Sequence, residues 1–173
     1  MSNTDPLAEL TRLGQSVWLD YIRRGILDSG ELEQMIRERS LRGVTSNPAI
    51  FEQAIARSDD YDDELELLAA EGAEALEVYE TVAVADIQRA ADLFRHIYDD
   101  SKGHDGFVSL EVSPELAHDT EGTLEEARRL WERALQLDLD DAEVAAIIAR
   151  LDAAAAAQAA AVAAEAAQEA LAA

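Results

Sequence analysis

The sequence predicts an α/β protein of about three parallel βα units followed by a helical, alanine-rich tail. Three observations carry this expectation. Short apolar runs alternate with longer segments of helical periodicity, each run stops at a polar residue or a proline, and beyond residue 153 the chain turns into mostly alanine. Strand and helix in strict alternation is the grammar of right-handed parallel crossover units.

The first strand is expected in residues 16–20, a short apolar run through Val17, Trp18 and Leu19 that ends at Asp20. Residues 29–39 then place Leu32, Met35 and Ile36 at helical spacing. The second strand is the β-branched run from Gly43 to Asn47, stopped by Pro48, which cannot continue a ladder. From residue 48 to 100 the pattern is helical, with breaks near 57–60 and at Gly72. Its second half shows a broad apolar face of Leu76, Tyr79, Val82, Val84, Ile87, Ala91, Phe94 and Ile97, interleaved with Glu77, Glu80, Arg89 and Asp92. After a turn at 101–106 comes a third strand, 107–112, closed by Pro114. Thr123 is expected to cap the next helix, with Glu126 completing a capping box. Asp140 is expected to start another, whose apolar face is Val144, Ile147, Ile148 and Leu151. Residues 134–143 resemble, once and over ten residues, the helix junction of tetratricopeptide repeats. The tail from 153 favours helix by propensity but has few apolar anchors, so weak docking or disorder is expected.

Composition narrows the functional classes. The 173 residues carry 37 acidic against 14 basic side chains, a net charge of −23, which disfavours nucleic acid and anionic membrane as partners. Cysteine is absent, which removes disulfides, thiolate metal sites and thiol nucleophiles. The start lacks a basic and apolar leader, and no stretch has the length and hydrophobicity of a membrane span, so a cytoplasmic location is expected. His96, His104 and His118 have no metal-ligand spacing, and no glycine-rich phosphate loop or nucleophile elbow occurs, so no metal or cofactor is expected.

Parallel βα folds gather ligands at the carboxyl ends of their strands, and three polar residues end these strands: Asp20, Asn47 and Glu111. Either each caps the helix that follows, or together they form a polar site. Spacing alone leaves both readings open.

The run Gly43-Val44-Thr45-Ser46-Asn47-Pro48-Ala49-Ile50-Phe51 closely resembles the second-strand signature of transaldolases. Val17-Trp18-Leu19-Asp20 with Gly30-Glu31-Leu32 is similar to that family's first strand and helix, Ser58-Asp59-Asp60-Tyr61 to its next loop, and Val108-Ser109-Leu110-Glu111-Val112-Ser113-Pro114 to its third strand. The resemblance covers about residues 10–132 and is closest to the longer bacterial branch. It implies a (β/α)8 barrel, here present as about three units. It also implies transfer of a dihydroxyacetone unit between sugar phosphates in the pentose phosphate pathway, through a lysine Schiff base and without cofactor or metal. By this likeness Asp20 is the acid/base at the hydroxyl beside the breaking carbon–carbon bond. Asn47, with Thr45 and Ser46, binds the dihydroxyacetone unit, and Glu111 relays protons through a water.

The resemblance fades after Trp131, before the strand that would carry the Schiff-base lysine. The one lysine, Lys102, precedes the third strand at its amino end, roughly 15–20 Å from the carboxyl ends. The expectation is therefore a partial barrel over 1–132, a helical segment over 133–152 and an alanine-rich tail over 153–173 foreign to the family. The chain is expected to be inactive as it stands. The open edge of the third strand should drive self-association unless the helix around 144–151 covers it. The alternatives are a non-catalytic helical interaction module from Thr123 onward, or a chain without function.

Overall fold

In the computed structural model, which describes residues 5–135, strand pairing is organised around a glycine. β1 (Trp18–Asp20), β2 (Gly43–Thr45) and β3 (Phe107–Val108) form one parallel sheet in the order β1-β2-β3. Trp18, Leu19 and Asp20 lie opposite Gly43, Val44 and Thr45, while Gly43 and Val44 lie opposite Phe107 and Val108. A Cβ on Gly43 would sit 2.6 Å from the Trp18 indole and 2.9 Å from the Phe107 carbonyl oxygen. No other residue leaves room there for the indole to lie against the start of the central strand.

β3 is shorter than its apolar pattern. Regular pairing stops at Val108, with one further ladder bond from Ser109 N to Val44 O at 3.0 Å. Beyond it the serines take over the backbone groups. Ser46 N donates to Ser109 Oγ at 3.0 Å, and Ser46 Oγ donates to Ser109 O at 2.6 Å. Hydroxyls thus replace the ladder where the strands end, which the apolar pattern of 107–112 does not reveal.

The helices cover one face of this sheet. α1 (Pro6–Arg12) lies outside the elements expected from the sequence, although its start is a legible cap: Asp5 Oδ1 accepts from Leu7 N at 3.0 Å with proline at the first helical position. α2 (Arg24–Asp28) and α3 (Glu31–Glu38) follow β1, separated by Gly30 at φ +74°. α4 (Pro48–Ala56), α5 (Asp62–Ala70) and α6 (Ala75–Asp100) follow β2, with the breaks at the expected places. The principal core joins Ile22, Ile26, Leu32 and Val44 to Phe51, Ile87 and Phe94, all buried. On α6 the expected face is slightly out of phase: Leu76 is 65 % exposed and Ala91 exposed, while Ala90 is buried. No helix among the described residues is long and apolar enough to cross a membrane.

α7 (Thr120–Leu135) corrects two expectations. Its cap is Asp119, whose Oδ1 accepts from Gly122 N at 3.0 Å. Thr123 lies a turn inside and donates its hydroxyl to Asp119 O, while Glu126 accepts from Ser113 N at 2.7 Å instead of closing a capping box. Because Asp119 starts the helix four residues earlier, Thr123 falls inside the first turn, where its own amide donates to Asp119 O at 3.0 Å. α7 also runs through the boundary expected at 132/133. The helix expected from Asp140, most of the repeat-like phrase and the alanine tail lie outside the described residues.

Glu80, set among the apolar positions of α6, is buried. Its carboxylate accepts from Arg129 at 2.7 and 2.6 Å and from Arg133 at 3.0 Å, fixing α7 to α6 beside the buried Leu130. The Arg129 hydrogen bonds hold the carboxyl below the ordinary value of 4.5, against burial, which pushes it upward. A lowered folded value means that the unfolded chain binds the proton first as the solution is acidified. The stabilisation from Glu80 is therefore complete above about pH 5 and is lost as pH falls through the lowered value. Glu80→Gln is expected to cost about 1–2 kcal/mol at pH 7, the partly exposed arginines limiting the loss. Urea unfolding from pH 7 to pH 3 should show the difference between variant and wild type shrinking with acid.

Candidate functional site

The carboxyl ends of the three strands carry the residues that could do chemistry. Asp20 is the last residue of β1, exposed, and in register with Thr45. Thr45 Oγ1 accepts from Ser109 Oγ at 3.1 Å, so the row Asp20, Thr45, Ser109 closes the sheet at this end. Ser46 is fully buried, and its hydroxyl is committed to Ser109 O. It holds the strand ends together.

Asn47 follows in an extended conformation, and its Oδ1 accepts from Ile50 N at 2.9 Å, capping α4 ahead of Pro48. The cap uses the amide oxygen and leaves the amide nitrogen without a hydrogen-bond partner among the described residues. A side chain held at one atom and open at the other suits a fixed polar contact to a hydroxyl. Of the two readings open in the sequence, the cap is the one made by the amide oxygen.

Asn47 and Glu111 line a common open cleft of about 670 Å³ with Pro48, Leu110, Ser113 and Thr123. Glu111 also borders a neighbouring space of about 280 Å³, walled by Tyr79, Glu80, Glu52 and Leu130. Asp20 lines neither. It stands two strands away from β3, roughly 10 Å across the sheet. The three polar strand ends therefore share one end of the sheet, and Asn47 and Glu111 share a cleft there.

Tyr79 enters this region from α6, its ring edge-on to Phe51 at 6.2 Å. Burial, reinforced by Glu80, Glu126 and Glu111, raises its phenol above the ordinary value of 10 and keeps it a proton-bearing donor. Neither Tyr79 nor Ser109 stands out in the sequence. Tyr79 reads as one more apolar position, and the available signal for Ser109 is a hydroxyl inside an apolar strand, which calls for a partner. Lys102 lies at the opposite end, exposed in the turn between α6 and β3 at φ +56°. His96, His104 and His118 are all exposed, and the described residues bring no three His, Asp or Glu side chains together as a metal site.

Comparison with known proteins decides the family. The family described as Transaldolase/Fructose-6-phosphate aldolase matches residues 17–168. The chain belongs to this family. Transaldolases from several bacteria are similar to it: one from Trichodesmium erythraeum is 45 % identical over 128 residues, 74 % of this chain and 34 % of that protein. One from Thiobacillus denitrificans is 50 % identical over 123 residues, 71 % and 34 % of the two chains, and one from Frankia alni 49 % over 131 residues, 76 % and 35 %. The chain spans about a third of the length of these transaldolases. The family match runs on to residue 168.

The cap made by Asn47 has a direct test in stability. Asn47→Asp keeps a capping oxygen and should change stability by less than about 0.5 kcal/mol, whereas Asn47→Ala should cost about 1 kcal/mol in urea unfolding.

Proposed function

We propose that this chain carries the part of a transaldolase site that handles the dihydroxyacetone unit of a sugar phosphate. The observation that carries the reading is the common cleft of Asn47 and Glu111 at the carboxyl end of a parallel sheet, with the Asp20 carboxylate on the same edge. In this reading the three-stranded sheet is an arc of a (β/α)8 barrel. Asn47 holds a substrate hydroxyl through its open amide nitrogen. Glu111 passes protons through a water while the carbinolamine forms and is hydrolysed. Asp20, across the sheet, takes the proton from the hydroxyl next to the breaking carbon–carbon bond. The separation of the two carboxylates suits this division, since one acts at the ketone carbon and the other on the departing aldose side. Thr45 borders the site, and Ser46 fixes its frame.

The family chemistry needs a desolvated amine beside the bound ketone, and Lys102 is exposed at the other end of β3. The chain alone therefore binds without turning over. Fructose 6-phosphate followed by borohydride is expected to leave the mass of the chain unchanged and to release no aldose phosphate. A stoichiometric adduct on Lys102 would overturn the inactive reading. Titration of the same sugar phosphate into isotopically labelled chain should move the amide resonances of residues 20, 47 and 111. Resonances that stay fixed there would remove the site.

A cytoplasmic location accords with this chemistry, and the charge of −23 argues against nucleic acid or an anionic membrane as partner. The outer edge of β3 has no strand beside it among the described residues, while Phe107 is 42 % and Trp18 40 % exposed. Self-association through that edge follows, opposed by the net charge and favoured by screening. Sedimentation velocity should show the average mass rising between about 10 mM and 0.5 M salt. A monomer at both salts would count against it.

A further inference from the structure

α2 begins without a cap of its own. Arg23, at the N-cap position, is extended and offers the helix no side-chain acceptor, so the first amides of α2 need acceptors from elsewhere. They come from the turn before α5. The Tyr61 hydroxyl accepts from Arg24 N at 3.0 Å, and Asp60 Oδ2 accepts from Gly25 N at 2.9 Å. The approach is close enough that a Cβ on Gly25 would lie 2.7 Å from that same carboxylate oxygen.

The hydroxyl that accepts from Arg24 also donates to Asp86 Oδ2 at 2.9 Å, and Asp86 Oδ1 accepts from Arg24 Nε at 3.0 Å. The Arg24 guanidinium lies 4.7 Å from the centre of the Tyr61 ring and reaches Glu64 with its other end. Tyr61 and Asp86 are both fully buried. One phenol thus joins the backbone of α2 to a carboxylate of α6, and the arginine of α2 closes the loop. Burying a carboxylate and a guanidinium in this way is a poor route to stability, because apolar residues of the same volume serve as well or better. What the arrangement supplies is a defined position for the first turn of α2.

That turn starts four residues after Asp20. β1 holds Asp20 on one side through its register with Thr45, and the anchored turn holds the connecting residues 21–23 on the other. We propose that Tyr61 and Asp86 are positioning residues for Asp20, fixing the β1–α2 connection from the helix side of the sheet. The inference rests on the reading of Asp20 as the acid/base of the site, but its structural content is measurable without ligand.

Amide exchange and carboxyl carbon resonances of the full chain provide the test. In the wild type, the amides of Arg24 and Gly25 should exchange as slowly as those of Ala83 and Ile87 in α6; faster exchange by an independent opening would overturn the anchor. Tyr61→Phe keeps the ring over the guanidinium and removes both hydroxyl bonds. It should speed exchange at Arg24 and Gly25 at least tenfold more than in α6, and shift the Asp20 carboxyl resonance while leaving that of Glu111 in place. Uniform acceleration, or an Asp20 resonance that does not move, would reduce Tyr61 to a structural residue and overturn the proposal. Where Tyr61→Phe does not fold, Asp86→Asn, which keeps an acceptor for Tyr61 but removes the charge that holds Arg24, should shift the Asp20 carboxyl resonance and leave that of Glu111 in place; an Asp20 resonance that does not move overturns the proposal. Failure of the site reading shows separately, as a residue 20 that fructose 6-phosphate leaves untouched in the wild type.

Discussion

β2 has a strand on each side, so its first residue must satisfy two neighbours at once, and with Gly43 it does so by having no side chain. The Trp18 indole and the Phe107 carbonyl both occupy space a Cβ would need. This single clearance lets β1 and β3 approach β2 with Asp20 level with Thr45, and it leads Ser46, Asn47 and Ser109 to the same end of the sheet. The hydroxyl bonds between Ser46 and Ser109 then extend the pairing past the ladder, so that Asn47 and Glu111 leave the strands from a fixed base. Site geometry at one end of the sheet thus depends on an absence of atoms at the other.

Two buried carboxylates on α6 illustrate how differently a charge can be accommodated. Glu80 is met by two arginines of α7 that stay partly in solvent, and its carboxyl is lowered. Asp86 is fully buried, and burial outweighs Arg24, raising it above the ordinary 3.8. The signs follow: protonation of Glu80 costs the fold, whereas the folded chain binds a proton at Asp86 more readily than the unfolded chain does. The first residue fastens a helix, while the second carries an electrostatic cost in holding α2.

The sequence made the architecture legible where local signals agree with the tertiary outcome. Pro48 after a β-branched run, Gly72 between helices and the polar ends of the first two strands each point to a feature the structure contains. It failed where a distant residue claims a group first. Ser109 looks like strand interior, yet its hydroxyl donates to Thr45 of β2 from 64 residues away. Thr123 looks like a cap, yet Asp119 reaches the amides before it. Glu80 shows in the sequence only as a charge among apolar positions, yet Arg129 and Arg133 reach it from 49 and 53 residues further on. In the candidate site, Asp20, Asn47 and Glu111 were readable as polar strand ends, and the family resemblance assigned their roles. Tyr79 was not readable, because a phenol on an apolar helical face looks the same with or without a partner, and the pairing of Tyr61 with Asp86 was not readable because 25 residues separate them.

The 26-residue α6 also bears on the order in which the sheet can assemble. β1 and β2 are joined by two short helices, whereas the bond from Ser109 to Thr45 spans 64 residues, most of them in α4, α5 and α6. Loop-closure entropy grows slowly, about 0.6 kcal/mol per doubling of length, so the longer span is a small burden on the finished fold. Its effect is on timing. A chain emerging from its amino end has both members of the β1–β2 pair before most of α6 has been made, and it must hold that two-stranded edge open until Phe107 arrives. During this interval the clearance at Gly43 faces water on the β3 side, and the half-built sheet presents its central strand as an edge.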